Sequence, residues 1–220
     1  FTFVSGGKSA AATSTAKGPG ARGGDLGDYY TLIVGNNEYR GFSTLSTAVN
    51  DARATEQILR DKYRFKTRLL LNADRYTILS ALNELRETLA ENDNLLIYYA
   101  GHGVMHEQTQ RGYWIPVDAD PDNNANWISN TAITDMLSVI KAKHILVVAD
   151  SCFAGTLTQA PLARTETDIP PDVRTEWIKV MAQTRARITL TSGGLEPVMD
   201  GGGGNHSVFA KAFLSALRSN

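Results

Sequence analysis

The stretch HILVVADSCFAG, residues 144–155, indicates both the fold class and a first candidate for chemistry. Its apolar run from His144 to Ala149 is typical of a buried strand, and the run ends in Asp150 and a turn of small residues. Cys152 is the only cysteine in the chain and stands in that turn. A thiol at the carboxyl end of a strand is well placed to act as a nucleophile, because ligands of open parallel sheets bind at that end of the strands.

A second strand end lies upstream in the stretch LLIYYAGHG, residues 95–103. His102 follows the end of this apolar run, as Cys152 follows the end of the run from His144 to Ala149. Consecutive strands are neighbours roughly two-thirds of the time, so we expect His102 and Cys152 to meet at one edge of a sheet. The pair indicates a Cys/His hydrolase, whereas Cys152 taken alone would more often be a buried structural cysteine.

Apolar runs alternate with helical periodicity along most of the chain, which predicts a mostly parallel sheet with helices on both faces, an α/β/α sandwich. We expect strands over 30–35, 68–71, 95–99, 145–149 and 188–191, and helices around 48–59, 78–89, 133–140 and 208–217. Residues 1–28 are mostly small and polar, which predicts a flexible linker or N-terminal extension before one domain over 29–220.

Composition excludes some classes of protein. The formal net charge of -1 and the pI near 6.5 give no basic surplus, so we expect no nucleic-acid partner. A lone cysteine forms no internal disulfide, which favours a reducing, cytoplasmic location. No apolar run is long enough for a membrane segment and the start lacks a signal peptide, while the missing initial Met suggests that a regulatory domain or partner has been lost upstream.

The proposed chemistry needs a proton acceptor for the thiol. A cysteine with a pKa near 8.5 is mostly protonated at neutral pH, and the imidazole of His102 could take its proton and later pass one to the leaving amine. Backbone N–H groups of Gly103 and Cys152 are the candidates for binding the oxyanion.

Two motifs carry a family resemblance. The blocks YYAGHG at 98–103 and DSCFAG at 150–155 resemble the catalytic blocks of metacaspases and their bacterial relatives, the caspase-like cysteine peptidases. His102 precedes Cys152 by 50 residues, in line with the caspase-type spacing of about 50. Supporting blocks lie at 32–39, 49–52, 114–118 and 191–197, so the resemblance covers roughly 29–217. It implies a caspase-like peptidase domain over 29–220 and a peptide or protein substrate, and the Cys/His chemistry itself requires no cofactor.

The resemblance also implies which substrate the enzyme cuts. In metacaspases the aspartates that correspond to Asp51 and Asp150 face the side chain before the scissile bond, which implies cleavage after Arg or Lys. Paired carboxylates in a partly dry pocket suit a guanidinium or an ammonium group. The alternative for each aspartate is a helix cap or a turn hydrogen bond. Ala100 stands where the family often has serine, so we expect details of this pocket to differ.

Two further expectations follow from the resemblance. Many metacaspases need calcium, but this chain has no run of adjacent carboxylates, so we predict calcium independence and no metal site. Relatives are cut in the loop after the nucleophile strand, which makes Arg164 and Arg174 candidate self-cleavage points. The alternative is an uncut surface loop.

Other histidines are weaker candidates. His102 and His106 have the i, i+4 spacing of a zinc pair on a helix, but the glycines around them favour a loop. His206 follows a glycine run, and Ser207 as a helix N-cap is the simpler interpretation of that site. His144 opens its strand at the end opposite Cys152.

Two alternative functions remain open at this stage. One is a catalytically silent caspase-fold interaction module that binds partners. The other is a small-molecule amidohydrolase such as a glutaminase, which is disfavoured because its histidine usually follows the cysteine along the chain.

Overall fold

The computed structural model describes residues 27–152, 184–192 and 204–219. The described strands are β1 (Tyr29–Gly35), β2 (Lys66–Leu71), β3 (Asn94–Ala100), β4 (Gly103–His106), β5 (Arg111–Trp114), β6 (Ile128–Ser129), β7 (His144–Asp150) and β8 (Ala186–Thr191). The described helices are α1 (Ala48–Asp61), α2 (Arg75–Thr88), α3 (Asn130–Ser138) and α4 (Val208–Ser219), with one turn of 3-10 helix at Asn124–Asn126. The predicted self-cleavage points Arg164 and Arg174 lie outside the described residues, as does the predicted linker up to residue 26.

The main sheet is parallel and has the strand order β2-β1-β3-β7-β8 in the described part of the chain. Its central strands are apolar at nearly every position because both faces are covered, as expected for parallel sheets. Successive side chains of β3 enter opposite cores: Ile97 packs with α2 and α3, and Tyr98 packs with α1 and α4. The α/β/α sandwich predicted from the sequence is therefore confirmed.

The predicted neighbourhood of the two reactive strand ends is also correct. Strands β3 and β7 pair in register from Asn94 opposite His144 to Ala100 opposite Asp150. Beyond this last pair, the N–H of Gly101 donates to the carbonyl of Asp150 at 3.3 Å. The segments that carry His102 and Cys152 therefore leave the same edge of the sheet side by side.

A small antiparallel sheet of β4, β5 and β6 was not predicted. We expected a loop around His106, but this residue is the last of β4 and pairs with Arg111 of β5. These strands are two to four residues long and contain glycine and polar residues, so they lack the apolar alternation that marks a strand in sequence. This sheet continues directly from His102.

Helix ends follow local hydrogen bonding. The side chain of Asp74 accepts from Thr77 N–H at 2.8 Å to cap α2, and Ser129 accepts from Ala132 N–H at 3.1 Å to cap α3. Helix α3 ends at Ser138, earlier than the predicted 133–140 helix, although Ile140 is buried as expected. None of the described helices combines the length and apolar character needed to cross a membrane.

Candidate active site

The turn after β7 and the start of β4 touch each other. Gly103 lies so close to Cys152 that a Cβ atom added to it would fall 1.9 Å from the Cys152 carbonyl oxygen. Only a glycine allows the two backbones to approach in this way. Both predicted dyad residues, His102 and Cys152, line one cavity of about 240 Å³ at the carboxyl edge of the sheet. Each is partly buried.

Two tyrosines fix the backbone of His102. Its N–H donates to the hydroxyl of Tyr39 at 2.9 Å, and its carbonyl accepts from the hydroxyl of Tyr99 at 2.8 Å. The Tyr39 ring also packs on the imidazole, with ring centroids 4.7 Å apart. Because both backbone groups of His102 are bonded to side chains, the residue is held in place although it lies beyond the end of β3.

A backbone carbonyl orients the imidazole of His102. The Nε2 atom lies 2.8 Å from the carbonyl oxygen of Ser43 and 3.4 Å from the Ser43 hydroxyl. A carbonyl oxygen can only accept, so this contact requires the hydrogen on Nε2. In the neutral ring Nδ1 is then the basic nitrogen, and it is the atom able to take a proton from a thiol.

Asparagines hold the loop that brings Ser43 and Tyr39 to His102. Asn36 accepts from Ala73 N–H at 2.9 Å, and Asn37 accepts from Val49 N–H at 3.0 Å through its side chain. The side chain of Asn72 accepts from the N–H of Asn37 at 2.9 Å. The segment after β1 is therefore tied to α1 and to the end of β2, which explains why polar asparagines follow an apolar strand here.

The N–H of Gly103 is directed away from the ladder of the small sheet. Gly103 pairs with Trp114, and the bond from Ile115 N–H to the His102 carbonyl at 3.1 Å flanks that pair. In antiparallel sheets this pattern marks a non-hydrogen-bonded pair. In the described part of the chain, strand β5 consequently does not use the N–H of Gly103. Gly103 itself is buried and is not among the residues that line the cavity.

Two buried carboxylates also line the cavity. Asp51 comes from the first turn of α1 and Asp150 from the last position of β7. Asp51 is 0% exposed and Asp150 is 8% exposed. Burial raises the pKa of Asp51 above its usual range, and hydrogen bonds from His206 and Ser207 partly offset this effect. Burial, followed by the charges of Asp150 and Asp51, holds the pKa of the nearby Tyr98 well above 10, so its phenol stays neutral.

Both carboxylates already have hydrogen-bond donors from the segment before α4. His206 Nδ1 lies 2.5 Å from Asp51 Oδ1, and Ser207 N–H donates to Asp51 Oδ2 at 3.2 Å. The Ser207 hydroxyl donates to Asp150 Oδ2 at 2.5 Å and accepts from Ala210 N–H at 2.9 Å. Ser207 is therefore the N-cap predicted for α4, whereas the contact of His206 with Asp51 was not predicted.

Sequence reasoning missed three residues of this site, namely Ser43, Tyr39 and His206. Ser43 contributes chiefly a backbone carbonyl, which leaves no signal in sequence. Tyr39 follows a strand in a block that resembles the family, but nothing in its residue type indicated a bond to His102. For His206 the available signal was its position next to a helix cap.

The remaining histidines lie away from the cavity lining. His144 begins β7 at the opposite end of the sheet, as predicted, and its Nδ1 lies 2.7 Å from Asn94 Oδ1. His106 lies on β4 and packs its ring 6.5 Å from that of Tyr113. Among the described residues, no three His, Cys, Asp or Glu side chains converge as a metal site would require.

Comparison with known proteins adds a family to this geometry. The family model described as caspase domain matches residues 29–220. The chain is 33% identical over 118 residues to human mucosa-associated lymphoid tissue lymphoma translocation protein 1, covering 53% of the chain and 14% of that protein. It is 24% identical over 161 residues to metacaspase-1 of Cryptococcus neoformans, covering 59% of the chain and 33% of that protein. The chain thus spans at most a third of either curated relative.

A solved structure shows the same fold. The crystal structure of protein GSU0716 from Geobacter sulfurreducens superposes with a TM-score of 0.62 at 18% sequence identity. The match covers 88% of this chain and 83% of that one. At this identity the likeness concerns the fold alone.

Proposed function

The chain belongs to the caspase domain family, and we propose that it is a cysteine endopeptidase with Cys152 as nucleophile and His102 as acid and base. One observation carries the proposal. The two side chains follow adjacent parallel strands and line a single cavity together with two buried carboxylates. The substrate is a protein or peptide, and the peptidase domain is residues 29–220.

In the proposed reaction, Nδ1 of His102 takes the proton of the Cys152 thiol as the sulfur attacks the carbonyl carbon of the scissile bond. The carbonyl π electrons move to the oxygen, which becomes an oxyanion. When the oxyanion collapses, the C–N bond breaks, His102 gives its proton to the leaving nitrogen, and a thioester remains. Water then attacks the thioester carbonyl while His102 accepts a proton from it. The second oxyanion collapses with cleavage of the C–S bond, His102 returns the proton to the sulfur, and the carboxylic acid product leaves.

The orientation of His102 supports these steps. Its Nε2 hydrogen is held by the Ser43 carbonyl at 2.8 Å, so the imidazolium formed during attack keeps a hydrogen-bond acceptor at Nε2 while Nδ1 carries the transferred proton. A held ring also avoids the loss of rate that follows from poor alignment of the reacting groups.

The oxyanion is proposed to bind the N–H groups of Gly103 and Cys152. The non-hydrogen-bonded position of Gly103 in its ladder supports this role, as does its contact with the Cys152 backbone. One such donor contributes about 100- to 1,000-fold to kcat in serine peptidases.

Cleavage after Arg or Lys is proposed from the charge of the cavity. Asp51 and Asp150 are the carboxylates in its lining, and both are buried. A buried carboxylate is costly unless a cation or hydrogen-bond donors satisfy it, so a basic side chain gains more in this cavity than an acidic one.

A peptide-library profile tests the activity and its specificity. We expect the protein to cut after Arg and Lys, and Cys152→Ala to abolish cutting. Asp150→Asn should lower kcat/KM for arginine peptides at least about tenfold, because it removes a charge-assisted contact. The matched control is Asp93→Asn. This carboxylate is also buried, but it accepts from Asp28 N–H and Ala90 N–H before β3, at the other end of the sheet.

Three outcomes would count against the proposal. Cleavage after Asp would refute the specificity. An equal loss of kcat/KM in Asp93→Asn and Asp150→Asn would show that Asp150 does not bind the basic side chain of the substrate. A wild-type protein that cuts no peptide and resists labelling of Cys152 by an arginyl chloromethyl ketone would instead be a catalytically silent interaction module.

Self-processing is proposed at Arg164 or Arg174, which follow the nucleophile in the chain. If the pocket accepts basic residues, either arginine is a suitable cleavage point. Intact-mass spectrometry of the wild type and of Cys152→Ala tests this. A fragment that appears in both proteins would contradict self-cleavage.

A further inference from the structure

Both oxygens of the Asp51 carboxylate already have a hydrogen-bond partner in this structure. Its Oδ1 lies 2.5 Å from His206 Nδ1, and its Oδ2 accepts from the Ser207 N–H at 3.2 Å. The Asp51 side chain is 1% exposed, whereas that of His206 is 28% exposed and lies between Asp51 and solvent. A substrate guanidinium would therefore compete with the imidazole for Oδ1.

The two donors differ in how firmly they are held. The Ser207 hydroxyl accepts from Ala210 N–H at 2.9 Å as the cap of α4, so Ser207 cannot leave Asp150 without uncapping a helix. His206 lies one residue before this cap, and its side chain does not cap the helix. Gly204, two residues earlier, has a φ of +80° and open space around its Cβ position, so the chain can turn there at little steric cost.

The imidazole resembles the expected substrate group in its chemistry. A carboxylate only accepts hydrogen bonds, so Nδ1 of His206 carries the hydrogen in this contact. The imidazole is a planar group that directs an N–H donor at Asp51, as one N–H group of a guanidinium would. Without either group, Asp51 would keep only its contacts with the Ser207 N–H and the Thr47 side chain, which compensates less well for the burial of a carboxylate.

We propose that His206 is a specificity-determining residue of this pocket, where its imidazole occupies Asp51 in the resting protein and competes with the basic side chain of the substrate. The inference rests on the proposed function in that it takes Asp51 and Asp150 as the groups that bind this side chain. Binding of a basic residue then requires the imidazole to move off Asp51. A side chain that cannot replace it gains only the contacts at Asp150.

The test uses benzamidine as a cationic probe and the full chain carrying Cys152→Ala, so that no turnover is needed. Histidine ring signals are followed by NMR during the titration, and the His206 signals are assigned from their loss in His206→Ala. We expect benzamidine to shift the His206 signals and to bind about tenfold tighter to His206→Ala, a factor worth about 1.4 kcal/mol. His206→Asn, whose amide keeps an N–H donor, should bind benzamidine with an affinity between those of the parent protein and of His206→Ala.

His106→Ala is the matched control, because His106 lies on β4 outside the cavity lining. It should leave the affinity for benzamidine unchanged. Equal or weaker binding to His206→Ala, or binding that leaves the His206 signals unmoved, would overturn the inference. A protein that cuts no basic peptide, yet releases His206 on binding benzamidine, would refute the peptidase function and keep the inference.

Discussion

Replacing Gly103 by alanine is the sharpest test of the proposed catalytic geometry. The added methyl carbon would lie 1.9 Å from the Cys152 carbonyl oxygen and 3.0 Å from its carbon, whereas ordinary contact begins at 3.4 Å. One backbone must therefore move by about 1.5 Å, which is the difference between the ordinary contact distance of 3.4 Å and the 1.9 Å from the added carbon to the Cys152 carbonyl oxygen. Neither partner is a flexible side-chain end, so the strand ends that carry His102 and Cys152 must separate.

The expected loss follows from this displacement. A shift of about 1 Å in reacting groups can cost about 100-fold in rate, which corresponds to about 2.7 kcal/mol of transition-state stabilisation. Overpacking costs about 1–3 kcal/mol of folding free energy, less than the stability of an ordinary domain, about 5–15 kcal/mol. Gly103→Ala should therefore fold and lose at least about 100-fold in kcat/KM.

The assay combines kcat/KM on an arginine peptide with two measurements that need no substrate. Thermal unfolding verifies the fold, and the rate of alkylation by iodoacetamide reports the thiol, since Cys152 is the only cysteine in the chain. We expect alkylation to slow in Gly103→Ala and to stay unchanged in Val104→Ala, the next residue of β4. A folded Gly103→Ala protein within threefold of wild type in kcat/KM would refute the reasoning.

Three further outcomes are expected. Burial raises the pKa of Asp51 above the 3.8 of an unfolded aspartate. The contribution of Asp51 to stability is therefore full below pH 3.8 and is lost as the pH rises through the pKa of the folded state. Asp51→Asn should raise the free energy of unfolding by urea at pH 7 but not at pH 3. Tyr39→Phe removes the acceptor of the His102 N–H and should lower kcat more than it changes KM. It should also lower the free energy of unfolding by about 1–3 kcal/mol. A change in KM alone would contradict this. Peptidase activity should survive EGTA, because the chain has no run of adjacent carboxylates and Asp118, an aspartate in the region after His102, already accepts from the Asn126 side chain and from the Arg75 N–H. An absolute calcium requirement would contradict this.

The main sheet was predictable because its signals are local and strong. Strands such as β3 and β7 are apolar at nearly every position, and a sheet covered on both faces produces that pattern. The meeting of His102 and Cys152 at one edge then followed from strand order. Helix α3 ended earlier than predicted because burial of Ile140 extends the apolar pattern beyond the last helical turn.

The rest of the site depends on contacts that residue types do not indicate. Ser43 acts through a carbonyl oxygen, which every residue possesses. The prediction for Asp51 and Asp150 concerned their approach to a substrate, but sequence gave no means to see that His206, 155 residues from Asp51, reaches the same carboxylate. Long-range pairing of polar groups is set by the packing of the helices that carry them.

That packing links the pocket to the hydrophobic core. Ser207 binds three groups at once: its hydroxyl donates to Asp150 and accepts from Ala210 N–H, and its backbone N–H donates to Asp51. Helix α4 begins at the next residue, and its Phe213 stacks on Tyr98 of β3, with centroids 5.9 Å apart. The donors that His206 and Ser207 provide therefore reach the two carboxylates only when α4 is docked on the sheet. Phe209 and Phe213 pack against this core and contribute hydrophobic free energy to the docking of α4, so the pocket and this face of the core form together.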